Sequence, residues 1–175
     1  IYKGLNLKTA GNAIVAGAIS TGSIIAMVFF LFVMSRGMIM DQIPQQLSDF
    51  LLSLSDNKIL ILLFINVLLI LIGMLVDDVS GSILASIILM PVAVDLGVHP
   101  IHFAAIVGTN LGLGNITPPC APLLYMAGSV GKAQINEYLK PTLRFILLGH
   151  LPVVLAVTFI PDLALFLPRL LMGIE

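Results

Sequence analysis

Hydrophobic residues run through this 175-residue chain in long uncharged blocks separated by short polar stretches. The first block, 9–35, carries no charged residue and is long enough for a bilayer, which takes about 20 apolar residues. Asn12, Ser20, Thr21 and Ser23 punctuate its first half, and small residues of this kind let membrane helices approach closely. A different pattern follows at 41–57. Apolar residues at 43, 47, 50, 51 and 54 share one helical face, and Pro44 suits a first turn. That segment predicts a short amphipathic helix lying at the membrane interface.

The next apolar run, 59–76, is interrupted by Asp77, Asp78, Val79, Ser80, Gly81 and Ser82, and a shorter run, 83–96, follows. Two short apolar pieces joined by a polar, glycine-containing tip predict a helical hairpin that enters the membrane and returns. The shortness of the second piece favours this over two full crossings joined by an acidic loop. From 96 to 131 there is again no charge, but Asn110, Gly112, Gly114, Asn115, Thr117, Pro118 and Pro119 fall inside the run. The prolines remove donors and push Thr117 out of the α region, so the pattern predicts a membrane helix broken at 114–119, with halves at about 101–113 and 120–130. A second amphipathic segment, 132–141, has Ile135, Tyr138 and Leu139 on one face. The last span is 145–160, and 163–175 reads as a surface segment.

Composition fixes the solvent. The chain is 59% hydrophobic and 10% charged, against roughly a quarter charged in soluble domains. Its mean hydropathy is +1.12, and so few charges would not cover a globular surface in water. A net charge of −1 without a basic patch argues against nucleic acid as a partner. The single cysteine, Cys120, excludes an internal disulfide. With no initiator Met and no signal-peptide cleavage pattern, the chain reads as starting within a longer polypeptide. Lys3, Lys8, Lys132, Lys140 and Arg144 fall on one side of the expected spans, and Arg36, Lys58 and Arg169 on the other; the positive-inside rule puts the first group in the cytoplasm.

Two places therefore put polar, irregular backbone at membrane depth: the tip at 77–82 and the break at 114–119. Such backbone survives in a bilayer only when buried in protein or lining a wet cavity, and paired interrupted helices point to a transporter's binding site. Freed carbonyls can coordinate a cation, while half-helix N-termini attract an anion. A carboxylate at membrane depth costs roughly 2.5–3.5 kcal/mol, so Asp77 and Asp78 call for a reason. They face a cation or cavity, or they cap the second hairpin helix; both readings stand. Thr117 offers a hydroxyl and a carbonyl to a hard cation, and Asn115 either ligates or satisfies freed backbone. His99, His102 and His150 lack ligand spacing and suit loop or interfacial roles. The scattered methionines read as packing. Ser20, Thr21 and Ser80 have no acid–base partners, and nothing resembles a structural metal cluster or the catalytic cluster of an enzyme.

The stretches Gly73-Met74-Leu75-Val76-Asp77 through Pro91, Val98-His99-Pro100-Ile101-His102-Phe103, and Asn110 through Pro119 resemble the large membrane subunit of TRAP (tripartite ATP-independent periplasmic) transporters. Ile43-Pro44-Gln45-Gln46-Leu47, Leu54-Ser55-Asp56-Asn57, Lys140-Pro141 and the Phe159–Pro168 closing segment look similar too. Nearly the whole chain is covered, and the likeness is to the C-terminal half of the subunit. The resemblance implies an all-α, polytopic protein, one half of an inverted-repeat, elevator-type importer driven by sodium in a bacterial or archaeal cytoplasmic membrane. The other half of the large subunit, a small membrane (Q) subunit and a periplasmic substrate-binding (P) protein are its implied partners. Sialic acids, C4-dicarboxylates and keto acids are the implied substrates, and Na+ is the coupling ion. Sodium ligands would fall on Asp77, Asp78, Ser80, Gly81 and Ser82 at the tip, and on Gly114, Asn115, Ile116, Thr117 and Pro118 at the break. Asn110, Pro119 and Cys120 would lie near substrate. Asp78 and the Cys120-Ala121-Pro122 sequence depart from the commoner family pattern, which bears on the substrate class.

On that reading 1–40 is a scaffold helix, 41–57 an arm, 58–97 the hairpin, 98–131 the broken helix, 132–142 a second arm, and 143–175 a final scaffold helix with its tail. Hairpin and broken helix form the moving core. Two other readings remain: a related sodium–carboxylate symporter working without a binding protein, and a membrane scaffold subunit that transports nothing.

Overall fold

The computed structural model describes residues 7–54, 57–76, 78–118 and 121–173. The fold is helical, with no strand among the described residues. Helix α1 is Leu7–Met40, α2 Ile43–Leu54, α3 Lys58–Leu75, α4 Asp78–Asp95, α5 Pro100–Ile116 and α6 Pro122–Gly131. Then come α7 Ile135–Phe145, a π-helical turn Ile146–His150, α8 Leu151–Phe159 and α9 Pro161–Met172. Among the described residues, four stretches are long and apolar enough to cross a membrane: Lys8–Met40, Lys58–Leu75, Asp78–Asp95 and the continuous Ile135–Phe159. Large apolar side chains such as Phe29, Phe30, Leu147 and Leu148 stand mostly exposed, the surface expected of a chain whose solvent is lipid.

Local chemistry sets the helix ends. Asn57 caps α3 by accepting from the Ile59 N–H at 3.0 Å, and His99 Nδ1 accepts from the Ile101 N–H at 3.2 Å ahead of Pro100 at the start of α5. At the end of α4, Gly97 takes φ +72°, and the Val98 N–H closes onto the Ala93 carbonyl at 2.9 Å. A left-handed glycine with this long backward bond stops the helix and turns the chain sharply into α5.

Residues 78–82, expected in a non-helical tip, instead form the first turn of α4. Asp78 at its start suits the positive end of the helix dipole, and the Ser82 hydroxyl bonds back to the Val79 carbonyl at 3.0 Å. The junction of α3 and α4 therefore shrinks to Val76 and Asp77, and α4 becomes as long as α3, 18 residues each. The broken helix differs in the same sense. Gly114, Asn115 and Ile116 continue α5, and the interruption begins at Thr117, whose φ of −96° and ψ of 124° leave the helix. Pro118 pushes Thr117 out of the helical region and gives the Gly114 carbonyl no N–H of its own, but it leaves the backbone angles of 114–116 free to stay helical.

The amphipathic segment expected as a separate arm at 132–141 joins the last span. Pro141 lies inside α7, and α7 passes through the π turn into α8 without a break. The Leu151 N–H reaches back five residues to the Ile146 carbonyl just before Pro152, which has no N–H to give. A wide turn at this point takes up a register that a proline would otherwise disrupt.

Helix α5 is the centre of the packing. Ile61, Leu62, Ile65 and Leu69 of α3, Ala85, Leu89, Val92 and Ala93 of α4, and Phe103, Ile106, Val107 and Leu111 of α5 form one buried cluster. Near its far end α3 and α5 come together through Gly73 and Gly114. A Cβ on Gly73 would sit 2.9 Å from the Leu111 Cα and carbonyl oxygen, and one on Gly114 would overlap the Gly73 backbone. The contact is backbone on backbone, which only glycine permits. Gly128 of α6 is likewise filled by the Tyr138 ring of α7.

Gly114→Ala or Gly73→Ala is expected to destabilise the protein by about 1–3 kcal/mol or more, as overpacking does. Gly108→Ala, where an added methyl meets nothing within 4 Å, is expected to be neutral or stabilising. Thermal unfolding of the purified variants in detergent checks the contrast; equal melting temperatures would remove the crossing from its central role.

A candidate ion and substrate site at the helix interruptions

The glycine crossing brings the α3–α4 junction against the end of α5. There the Asn115 side-chain amide donates to Asp78 Oδ1. Asn115 is 2% exposed, and its own Oδ1 is buried with no hydrogen-bond partner among the described residues. A buried amide oxygen left without a donor costs about 1–3 kcal/mol, so its environment favours a cation or an ordered water there. Asp78, on the exposed side, contributes a carboxylate.

The remaining expected ligands take varied roles. Thr117 turns inward on its own helix: its hydroxyl donates to the Leu113 carbonyl at 2.6 Å, and its N–H to the Gly114 carbonyl at 3.0 Å. Two of the carbonyls expected to be freed by the break are thus engaged, while the Thr117 oxygen keeps lone pairs for a ligand. Ser80 is buried and donates to the Met27 sulfur of α1 at 3.3 Å, tying the start of α4 to α1. Gly81 is buried within reach of Ile72 and Leu111 side chains, while Ser82, Ile116 and Pro118 are half-buried. Asp77, Pro119 and Cys120 lie outside the described residues.

Asn110, expected near substrate, belongs to a second buried cluster deeper along α5. Its Nδ2 donates to Asn66 Oδ1 of α3 at 2.6 Å, and the Thr158 hydroxyl of α8 reaches the same oxygen at 3.0 Å. The three are between 0% and 4% exposed, so α3, α5 and α8 are cross-linked by polar groups inside an apolar environment. Nearby, the His102 Nε2 lies 2.8 Å from the Val157 carbonyl. Asn66 and Thr158 were not among the expected functional residues. Their signal was present, since Asn66 is the only strongly polar residue in 59–76 and an amide at membrane depth wants a partner. What the sequence lacked was the partner's identity.

Among the described residues no group of three or more His, Cys, Asp or Glu side chains could hold a metal ion. The oxygens of Asp78, Asn115 and Thr117 are instead the hard, neutral or singly charged donors that suit an alkali cation better than a transition metal.

The family model for the DctM component of the tripartite ATP-independent periplasmic transporter matches residues 1–163. The chain belongs to this family. It is 37% identical over 134 residues to the large permease protein SiaM of a sialic acid TRAP transporter from Vibrio cholerae, covering 76% of the chain and 31% of that protein. It is 30% identical over 166 residues to the isethionate TRAP transporter permease DctMQ of Oleidesulfovibrio alaskensis, covering 95% and 26%. Over 171 residues it is 29% identical to the C4-dicarboxylate TRAP transporter large permease DctM of Rhodobacter capsulatus, covering 98% and 39%. The TRAP-family chain thus spans well under half the length of these relatives. Its family and its four apolar helices make it a multi-pass membrane protein.

Thr158→Val, which keeps shape and removes the bond to Asn66, is expected to lower stability by about 0.6–1.7 kcal/mol. Thr158→Ser should retain most of it. Detergent-phase melting of both variants decides the point; a Val variant as stable as the parent would leave the cross-link without energetic weight.

Proposed function

We propose that this chain supplies one of the two ion- and substrate-holding repeats of a sodium-coupled importer of small organic anions. The observation that carries the reading is the meeting of Asp78 with Asn115, whose side-chain oxygen is buried and unpartnered among the described residues. It joins the α3–α4 junction to the interruption of α5, the pairing that transporter sites use. Depth supports it as well. The ring of His150 approaches Gly112 near the end of α5, partway along Ile135–Phe159, a continuous stretch long and apolar enough to cross a membrane. A junction level with Gly112 then lies inside the membrane, and α3 and α4 act as a re-entrant hairpin although each is 18 residues long.

Sodium is the cation of this proposal, held by Asp78, the Asn115 oxygen and Thr117 together with Asp77. An anionic substrate beside it is neutralised by the ion and by the N-terminal ends of α4 and α6. The relatives named above carry sialic acid, isethionate or C4-dicarboxylate in their names, and a further relative from Escherichia coli is named for 2,3-diketo-L-gulonate. All four are small organic anions, the solute class proposed here. The remainder of the large subunit supplies the second repeat. A small membrane subunit and an extracytoplasmic binding protein complete the carrier in a bacterial cytoplasmic membrane. Transport follows an elevator motion in which α3–α6, with α8 bonded to them through Thr158, moves against α1 on the α2 arm.

Proteoliposome uptake with the complete carrier tests this. Thr117→Ala and Asp78→Asn are expected to reduce sodium-dependent uptake at least tenfold with assembly unchanged, since each removes a ligand of the coupling ion. Unaltered uptake in both would sink the site. Uptake that persists without the binding protein would replace the three-component carrier with a stand-alone symporter.

A further inference from the structure

A cavity of about 620 Å³ lies at the opposite end of α3 and α5 from the Asp78–Asn115 contact. Lys58, His99, His102 and Arg169 contribute its polar lining along with Thr158, and Leu62, Val98, Phe159 and Leu165 are among its apolar wall. No carboxylate lines it among the described residues. Three helices begin at its edge: α3 at Lys58, α5 behind the His99 cap, and α9 at Pro161. Each start contributes about half a positive charge, and Lys58 adds a full one at a helix end where a cation is ordinarily disfavoured. Arg169 is held 2.5 Å from Asp162 and is neutralised there, but the Lys58 ammonium has no ion-pair partner among the described residues. His99 accepts through Nδ1, so its neutral form carries the proton on Nε2 and offers a further donor. Among the described residues, the charged side chains on its lining are all cationic.

The rest of its lining selects among anions. A small, fully hydrated anion gains little from Leu62, Val98, Phe159 and Leu165, whereas an acyl chain is suited to them. Lys58 opens the long apolar stretch Lys58–Leu75, which enters the membrane from this end on the reading above, so its ammonium stands at headgroup depth. Helix α9 exposes Leu163, Phe166, Leu167, Leu170 and Leu171 while carrying Arg169 to the cavity, the distribution of a helix lying in the interface. A basic cavity between membrane helices at headgroup depth matches an anionic lipid headgroup in charge, and on the orientation expected above Lys58 and Arg169 meet the outer leaflet. We propose that this cavity binds one anionic phospholipid, its phosphate at Lys58 and His99 and its chain along Phe159 and Leu165. The bound lipid would bridge α3, α5, α8 and α9.

Native mass spectrometry of the full-length protein, purified in detergent and offered equal phosphatidylglycerol and phosphatidylethanolamine, tests this directly. One phosphatidylglycerol is expected to be retained in preference. Lys58→Gln should weaken its retention about fivefold, the effect of one basic charge near the surface. Lys58→Arg should preserve it, as should Arg36→Gln on α1, away from the cavity. Phe159→Ser should weaken retention of the lipid without changing the response of the melting temperature to inorganic phosphate. Equal retention of the two lipids, or retention indifferent to Lys58→Gln, overturns the proposal. So does stabilisation by inorganic phosphate matching that by short-chain phosphatidylglycerol, which would make the occupant a free anion.

Discussion

Between Gly73 and Gly114 two helix backbones meet with no side chain in between. That contact sets the relative height of α3 and α5, and much else follows from it. It puts the α3–α4 junction beside the end of α5 and so allows Asp78 to reach Asn115. Any Cβ at the crossing would force the helices apart or slide one along the other, and the junction and the interruption would separate. In lipid, where apolar surfaces gain nothing by leaving water, close backbone packing and internal hydrogen bonds are the chief forces that hold helices in register.

A polar rung lies about two turns from the crossing along α3 and about one turn along α5. Asn66 of α3 receives hydrogen bonds from Asn110 of α5 and from Thr158 of α8. Each amide also donates to a carbonyl on its own helix, Asn66 to Leu62 and Asn110 to Ile106, both at 2.8 Å. The arrangement satisfies nearly every polar atom it buries, leaving Asn110 Oδ1 as the exception. Crossing and rung together act at two heights on the same helix pair, which resists sliding better than either would alone. Helix α8, within the segment 143–175, is tied into this body by its bond to α3 and its packing against α5. Helix α1 differs: it meets α4 and α2, and its apolar sides are largely exposed.

The differences at the interruptions share one physical cause. Polar and glycine residues at 78–82 and 114–116 were read as parts of breaks because such residues are poor helix formers in isolation. Here the cost of a glycine within a helix, about 1 kcal/mol, is offset by the close approach it permits, and an aspartate at a helix start is favourable. The irregular backbone shrinks to the residues where covalent geometry demands it, beside Pro118 and at Val76. Proline 141 did not end α7, because a helix carrying lipid-exposed apolar residues on either side of it has no better place for its remaining polar backbone than the helix itself.

By itself the sequence determined the solvent, the helical class, the approximate limits of most helices, an amphipathic helix within 41–57, an interruption at Pro118, and, through its motifs, the family. All of these depend on hydrophobic runs, proline geometry and residue identity, which act locally along the chain. Tertiary structure alone decided that Asp78 meets Asn115, that Asn66 finds Asn110 and Thr158, and that the segment at 132–141 continues into α8. Those pairings join residues 37, 44 and 92 positions apart, and the helix phase that aligns them is set by the glycine crossing. A polar residue in an apolar run announces that it needs a partner, but the partner is chosen only when the helices are packed.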